Sequence, residues 1–236
     1  MNAKTIQSTS GRRGCSVGCA IFDIDGTLTR TNELIFASFN HVAMKYSGRT
    51  YTPAEIVAMF GPPEEGAVSA MVGEQRLGKA MDDLCAFYQE HHGSMAALHE
   101  GIEGALQLLR ERNVPMAVFT GKGRRTTTIT LGALGINGYF DLIVSGSDVL
   151  RYKPHPEGIR RVIEHFGVPA EQVLMVGDAI ADITASRSAG VKSVAALWDS
   201  YDRERVAAAG GDFVFHDVPS FVNWLREEVR FIPRFS

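Results

Sequence analysis

Short apolar runs alternate with longer segments of helical periodicity through the C-terminal part of the chain. The runs over 114–119, 173–176 and 191–196 have the composition of buried strands. Segments such as 156–166 repeat apolar residues at the spacing of an amphipathic helix, and a final helix is predicted over 219–229. Strands that alternate with helices of about 10 to 15 residues predict an α/β domain with a doubly wound parallel sheet.

The segment between the first strand and Leu98 follows another pattern. Apolar residues recur near helical spacing over 33–46, and no later stretch of this segment alternates as a half-buried strand does. A Gly-Pro-Pro sequence at 61–63 separates further helical stretches, so we expect a compact all-helical insertion. The predicted boundaries are 1–16 for a disordered leader, 17–30 and 99–236 for the α/β core, and 31–98 for the helical cap.

Polar residues able to do chemistry follow three of the predicted strands directly. Asp23, Thr120 and Asp178 each stand at the carboxyl end of a buried apolar run, and a helix follows each of them. In an open parallel sheet the carboxyl ends of the strands line the ligand crevice at the topological switch point. We therefore expect these residues, distant in sequence, to meet at one edge of the sheet.

Asp23 and Asp25 stand one residue apart where the first apolar run ends. Side chains at positions i and i+2 of an extended chain point the same way, so the two carboxylates would repel each other. A divalent metal, a shared proton, or both would relieve that repulsion. Carboxylate oxygens are hard ligands, which favours Mg²⁺ over a softer metal.

Composition narrows the classes of partner. The chain has 45% hydrophobic and 22% charged residues, as is usual for a globular protein, and a formal net charge of −3. That charge gives no electrostatic reason to expect nucleic acid or an anionic membrane as a partner. Three cysteines do not form an even set and suit a reducing compartment, so we expect a cytoplasmic protein.

Four segments, taken together, carry the pattern of a known family. They are Asp23-Ile24-Asp25-Gly26-Thr27-Leu28, the strand that ends in Thr120-Gly121-Lys122, Lys153-Pro154, and Gly177-Asp178-Ala179-Ile180-Ala181-Asp182. In this order the chain resembles the haloacid dehalogenase superfamily of aspartate-dependent phosphohydrolases over residues 18–228. The resemblance implies a Rossmann-like core, and the insertion is similar to that family's helical cap of the phosphoglycolate phosphatase and phosphoglucomutase type.

The resemblance implies catalytic roles for four residues. Asp23 would be the nucleophile that forms an aspartyl-phosphate. Asp25 would be the general acid for the leaving oxygen and then the base that activates water. Thr120 would donate its hydroxyl to the phosphoryl oxygens, and Lys153 would neutralise Asp23 and the phosphoryl charge.

The same resemblance implies the binding residues. Substrate would be bound by Thr120, Gly121, Lys122 and Lys153. Mg²⁺ would be bound by Asp23, Asp178 and the main-chain carbonyl of Asp25. Asp182 would support the ion indirectly, through water or a neighbouring ligand.

The second carboxylate also bears on the reaction. Family members that cleave carbon–halogen bonds lack an Asp at position 25 because no leaving alcohol needs a proton. We therefore expect a Mg²⁺-dependent phosphohydrolase, similar to phosphoglycolate phosphatase, that acts on a small phosphorylated metabolite. The sequences at 31–35 and 60–63 resemble the pyrophosphatase branch, so inorganic pyrophosphatase and sugar-phosphate mutase are alternatives for the same site. Glu33 and Glu65 are candidate contacts from the cap.

One alternative belongs to a different class of protein. A non-enzymatic phosphoacceptor similar to a receiver domain also places Asp, Thr and Lys at strand ends. Asp25 and a cap of this size argue against it, because a bare switch needs neither. A sugar-nucleotide transferase that holds metal with Asp-x-Asp would leave Lys153 and Asp178 without a role.

Overall fold

The computed structural model describes residues 15–233 and has a six-stranded parallel sheet at its centre. The strands in chain order are β1 (Cys15–Val17), β2 (Cys19–Phe22), β3 (Thr29–Arg30), β4 (Ala97–Leu98), β5 (Met116–Phe119), β6 (Leu142–Val144), β7 (Val173–Gly177), β8 (Lys192–Ala196), β9 (Phe213–Phe215) and β10 (Val229–Phe231). The order in the large sheet is β6-β5-β2-β7-β8-β9, and all its pairings are parallel. The predicted doubly wound parallel sheet is confirmed, with β2 between β5 and β7 at its centre.

Helices cover both faces of this sheet. They are, with those of the inserted segment, α1 (Asn32–Ser47), α2 (Pro53–Val57), α3 (Glu64–Val72), α4 (Leu77–Met95), α5 (Ile102–Glu111), α6 (Arg124–Ala133), α7 (Glu157–Phe166), α8 (Ile180–Ala189), α9 (Arg203–Ala209) and α10 (Val218–Glu227). Side chains of β2 alternate between the faces: Ala20 and Phe22 pack with α5 and α10, whereas Cys19 and Ile21 pack with α7. Burial on both faces explains why this strand is an unbroken apolar run.

The helices α1 to α4 pack on one another around a separate apolar cluster. Its buried members include Leu34 and Phe39 of α1, Met71 of α3 and Leu84 of α4. Ile129 of α6 packs against this cluster, so the helical region also contacts the α/β core. None of the helices within residues 15–233 combines the length and apolarity that crossing a bilayer requires.

Two short strands connect the helical region to the core. Strand β3, where the chain leaves the core, pairs antiparallel with β4, where it returns. The backbone N–H of His99 then donates to the carbonyl of Leu28 at 3.0 Å. The expectation that this segment holds no strand was wrong at its ends, because two-residue strands leave no periodicity to detect.

The terminal segments also differ from expectation. Residues 1–14 of the predicted disordered leader lie outside the described residues, whereas Cys15 and Ser16, which that prediction included, belong to β1. Strand β1 pairs in parallel with β10, and α10 ends at Glu227 rather than Val229. The predicted final helix was too long because pairing with β1, at the opposite end of the chain, determines the conformation of 229–231.

Candidate active site

The carboxyl ends of β2, β5 and β7 place Asp23, Thr120 and Asp178 along one edge of the sheet, where all three line a single cavity. The backbone N–H of Asp23 donates to the carbonyl of Val176 at 2.9 Å, which holds the end of β2 against β7. Because the three strands are neighbours and parallel, their ends meet without any irregular loop. Residues from distant parts of the sequence therefore share one site.

The turn after Asp23 requires glycine at position 26. Gly26 has φ +75°, a left-handed conformation that glycine adopts readily. A Cβ there would lie 2.4 Å from Oδ2 of Asp178, so a side chain would also collide with that carboxylate. The hydroxyl of Thr27 donates to Oδ1 of Asp178 at 3.3 Å. Close approach of this turn to β7 thus explains the Gly-Thr sequence that follows the two aspartates.

Lys153 is the cation at this end of the site. Its Nζ lies 3.0 Å from Oδ2 of Asp23 and 2.6 Å from Oδ1 of Asp182, and its side chain is 8% exposed. Burial lowers the pKa of Lys153, but the carboxylates of Asp182 and Asp23 outweigh burial and hold that pKa above its usual value. The ammonium group is therefore charged, and it is fixed between two acids.

Three carboxylates lie close enough to bind one metal ion. Oxygen atoms of Asp23, Asp178 and Asp182 all lie within 4.8 Å of one another. Burial raises the pKa of Asp178 well above its usual value, and the neighbouring carboxylates raise it further. Burial likewise raises the pKa of Asp23 to about 6, against the opposing effect of Lys153. One lysine thus leaves excess negative charge, and a hard divalent cation fits both the donors and the charge.

The two acids of the Asp-x-Asp sequence take different partners. Oδ1 of Asp25 accepts from the hydroxyl of Thr31 at 2.5 Å, and Oδ2 lies 3.3 Å from Nζ of Lys122. Asp23 instead pairs with Lys153. Each carboxylate thus has its own lysine partner, which relieves part of the repulsion expected between them.

Asp182 uses both of its oxygens within the protein. Oδ1 pairs with Lys153, and Oδ2 accepts from the backbone N–H of Ala179 at 3.1 Å. Asp182 as a whole is 1% exposed. These contacts are those of a side chain that positions its neighbours at the start of α8.

Lys122 lies at the boundary between the core and the helical region. Its side chain is 2% exposed, and its Nζ contacts Asp25, lies 3.7 Å from Oε1 of Glu64 and stands 4.6 Å from the ring centroid of Tyr88. Burial lowers the pKa of Lys122, but Asp25 and other neighbours outweigh it and keep that pKa above its usual value. The predicted substrate contact is thus a lysine that already has two carboxylate partners.

Glu64, rather than Glu33 or Glu65, makes the contact from the helical region. Its Oε2 accepts from the backbone N–H of Gly123 at 2.6 Å, and its Oε1 accepts from the hydroxyl of Thr126 at 2.5 Å. The carboxylate therefore lies at the N-terminus of α6, where unpaired N–H groups favour negative charge. Glu33 is exposed and does not line the cavity.

The cavity has a volume of about 490 Å³ and lies between the sheet edge and the helices α1 to α4. All the residues predicted for catalysis, substrate binding and metal binding line it. They are Asp23, Asp25, Thr120, Gly121, Lys122, Lys153, Asp178 and Asp182. The opposite wall comes from α1, α3, α4 and the segment 57–62.

The sequence interpretation did not identify three residues at this site. Thr31 precedes α1, but its side chain makes no capping bond and donates to Asp25. Glu64 lies in α3 and Tyr88 in α4, and both contact Lys122 or its loop. Only the position of Thr31, six residues after Asp25, offered a local signal.

A family model described as haloacid dehalogenase-like hydrolase matches residues 20–196. The match covers most of the chain, and the chain belongs to this family. The expected family is thereby confirmed. The expectation that the chain is an enzyme of the hydrolase class is confirmed as well.

Relatives and solved structures agree with this assignment. The chain is 30% identical over 210 residues to "Pyrophosphatase PpaX" of Anoxybacillus flavithermus, covering 89% of this chain and 97% of that protein. A crystal structure of a predicted phosphoglycolate phosphatase from Haemophilus somnus superposes with a TM-score of 0.78 at 22% identity, covering 88% of this chain and 97% of the other. A putative β-phosphoglucomutase from Thermotoga maritima gives 0.72 at 25% identity, with coverage of 89% and 99%.

Proposed function

We propose that this haloacid dehalogenase-like hydrolase removes the phosphoryl group from a phosphate monoester of a small metabolite, with Mg²⁺ as cofactor and Asp23 as nucleophile. The observation that carries the proposal is the carboxylate of Asp23. Its side chain is 14% exposed, pairs with Lys153 at 3.0 Å, and lies beside Asp178 at the same sheet edge as Thr120. A carboxylate so placed can attack phosphorus while a fixed cation offsets the charge of both.

The first chemical step uses the two aspartates in unequal roles. An oxygen of Asp23 attacks phosphorus, and the bond from phosphorus to the leaving oxygen breaks. Asp25 gives its proton to that oxygen, so the leaving group departs as a neutral alcohol. Asp25 has its own partners, which are Thr31 and Lys122. These contacts support a role distinct from that of Asp23.

The second step returns the enzyme to its starting state. Asp25, now ionised, takes a proton from water as the water oxygen attacks the phosphorus of the aspartyl-phosphate. The bond between phosphorus and the Asp23 oxygen breaks, and inorganic phosphate leaves. Asp25 again holds the proton needed for the next turnover.

Binding of the phosphoryl group and of the metal uses the remaining residues. The hydroxyl of Thr120 and the backbone around Gly121 would hold phosphoryl oxygens, with Lys153 on the other side. Asp23, Asp178 and the main-chain carbonyl of Asp25 would hold Mg²⁺, and Asp182 would keep Lys153 in place. When bound, Mg²⁺ offsets negative charge on the carboxylates and the phosphoryl oxygens.

Hydrolysis of pyrophosphate is the second candidate function. The observation in its favour is the similarity, at 30% identity, to a protein named as a pyrophosphatase. The same residues would serve, since the transferred group is the same and only the leaving group differs.

Substituting Asp23→Asn tests the proposal. We expect loss of Mg²⁺-dependent turnover of p-nitrophenyl phosphate with an unchanged circular dichroism spectrum, because an amide cannot form the aspartyl-phosphate. Asp82→Asn, at an exposed ion pair with Arg125, is the control and should keep full activity. Retention of more than a few per cent of the rate by Asp23→Asn would rule out the nucleophile assignment.

Turnover also separates the enzyme from a receiver-like phosphoacceptor. Such a protein releases at most one equivalent of product for each protein molecule. We expect many equivalents from the wild-type chain with p-nitrophenyl phosphate and Mg²⁺.

A further inference from the structure

We infer that the leaving group of the substrate is an uncharged alcohol with an apolar body larger than glycolate. The inference rests on the proposed phosphatase function and concerns the part of the cavity that the phosphoryl group does not fill. It excludes pyrophosphate and phosphoglycolate as preferred substrates, since both carry a second anionic group.

The wall opposite the sheet edge is mainly apolar, and Glu64 of α3 is its charged member. Its apolar part is formed by side chains of α1, α4 and the segment between α2 and α3, among them Ile35, Phe39, Met59, Phe60, Leu84 and Tyr88. Contact of this apolar and aromatic surface with an apolar ligand lowers the free energy of binding. Contact with an anion does not. The wall thus favours a leaving group with a hydrocarbon or aromatic body.

Polar groups on the same wall already have partners within the protein. The hydroxyl of Ser38 donates to the carbonyl of Ile35, and the hydroxyl of Tyr88 bonds that of Thr130. The amide of Asn32 donates to Asp199 at 3.4 Å. The hydroxyl of Ser38 would have to give up its bond to hold a second phosphate or a carboxylate, and Asn32 and Tyr88 already have one partner each.

The charges around the cavity also disfavour a second anionic group on the substrate. Lys122 and Lys153 are the basic residues among those of 15–233 that line it, and no arginine or histidine joins them. Lys153 is paired with Asp23 and Asp182, and Lys122 with Asp25 and Glu64. A second anionic group on the substrate would therefore enter a cavity whose lysines are already neutralised, next to the carboxylates of Glu64 and Asp202.

The size of the cavity agrees with a larger leaving group. Its 490 Å³ lies within the range of about 300 to 1,000 Å³ that is typical of sites for drug-sized ligands. Phosphoglycolate or pyrophosphate would leave much of the apolar wall without contact. A wall left wet in this way contributes nothing to transition-state binding.

A set of matched phosphate esters tests the inference. The wild-type chain is assayed with Mg²⁺ on 2-phenylethyl phosphate, ethyl phosphate, 2-phosphoglycolate and pyrophosphate, by release of inorganic phosphate. The two neutral alcohols differ in apolar size, whereas ethyl phosphate and phosphoglycolate differ mainly in charge. We expect kcat/KM for 2-phenylethyl phosphate to exceed each of the others by at least about tenfold.

A charge-introducing variant adds a second readout. Phe60 lines the cavity and is 45% exposed, so Phe60→Arg places a cation there without burying it. We expect it to lower the ratio of kcat/KM for 2-phenylethyl phosphate to that for phosphoglycolate by about tenfold. Met44→Arg, at a residue of similar exposure (51%) outside the cavity lining, is the control and should leave the ratio unchanged.

The outcomes distinguish the two proposals. A preference for pyrophosphate or phosphoglycolate over 2-phenylethyl phosphate would overturn the inference while leaving the chain a phosphohydrolase. An unchanged ratio in Phe60→Arg would also overturn it. No Mg²⁺-dependent turnover of any of the four compounds would overturn the proposed function and the inference together.

Discussion

The two ends of the cavity differ in almost every physical property. The end at the sheet edge is ionic: Asp23, Asp178 and Asp182 lie close together there, and Lys153 pairs with Asp23 and Asp182. The end at the helical region is mainly apolar, and its polar side chains are already bonded within the protein. One end suits a highly charged phosphoryl group and the other a neutral body. The difference supports the proposal that residues of the α/β core carry out the chemistry, and it identifies the helical region as the place to look for selectivity.

The two regions meet through a few polar contacts. Glu64 reaches the N-terminus of α6, Thr31 donates to Asp25, and Lys122 stands over the ring of Tyr88. Each contact ends on a residue next to the candidate chemistry. Any movement of the helical region relative to the core would therefore change the surroundings of Asp25 and of the loop that follows Thr120.

The largest effect should come from removing the cation at the ionic end. Lys153→Met leaves Asp23 and Asp182 buried without their positive partner, and the phosphoryl charge without its fixed counter-charge. We expect kcat to fall at least about 100-fold. Steady-state kinetics with p-nitrophenyl phosphate and Mg²⁺ measures it.

Lys192→Met is the matched control, since its ion pair with Asp212 is exposed and neither residue lines the cavity. We expect it to retain the wild-type kcat. Equal losses in the two variants would show that Lys153 contributes no more than a surface lysine.

A smaller effect should follow from breaking the contact between the two regions. Glu64→Ala removes the acceptor for Gly123 and Thr126 and one partner of Lys122. Since hydrogen bonds to a charged group are worth about 1.5 to 3 kcal/mol, we expect kcat/KM to fall about tenfold. Glu64→Gln keeps an acceptor and should recover part of the loss.

Glu65→Ala is the control for this variant, because Glu65 is the neighbouring acid on the same helix and does not line the cavity. It should leave kcat/KM unchanged. If Glu65→Ala proves as damaging as Glu64→Ala, then the helix start, and not the Glu64 carboxylate, connects the two regions.

The smallest effect concerns the contribution of His99, which follows β4, to the free energy of unfolding. Burial and Arg30 lower the pKa of His99 to about 4, although Oδ2 of Asp199 lies 3.5 Å from its Nε2. The unfolded chain, with a pKa of about 6.5, takes up the proton first as pH falls, so the free energy of unfolding decreases between about pH 6.5 and pH 4. Because a hydrogen bond with the backbone of Thr29 opposes the shift, we expect about 1 kcal/mol from this residue.

Urea unfolding at pH 7 and pH 4.5 checks this expectation. His99→Gln should lose less stability over that interval than the wild-type chain, and His216→Gln, at an exposed histidine, should behave as the wild type. A pH dependence that is the same in all three proteins would contradict the assignment to His99.

Most of the sheet could be predicted from local pattern because its strands are buried on both faces and read as unbroken apolar runs. The short elements could not. Strands β3 and β4 have two residues each, and β1 forms only by pairing with β10 at the other end of the chain. Their conformation depends on a distant partner, so no local periodicity reveals them.

The candidate site also combines features that the sequence predicts with features that depend on tertiary contacts. The sequence by itself determined that Asp23, Thr120 and Asp178 stand at strand ends, since alternation of strands and helices dictates a parallel sheet and a parallel sheet aligns those ends. Only the tertiary structure decided that Asp25 bonds Thr31 and Lys122, and that Glu64 rather than Glu65 reaches the core. It also decided that the cavity is mainly apolar opposite the carboxylates. These features depend on how one helix packs against another, and side-chain contacts across such an interface leave no periodic trace in either segment.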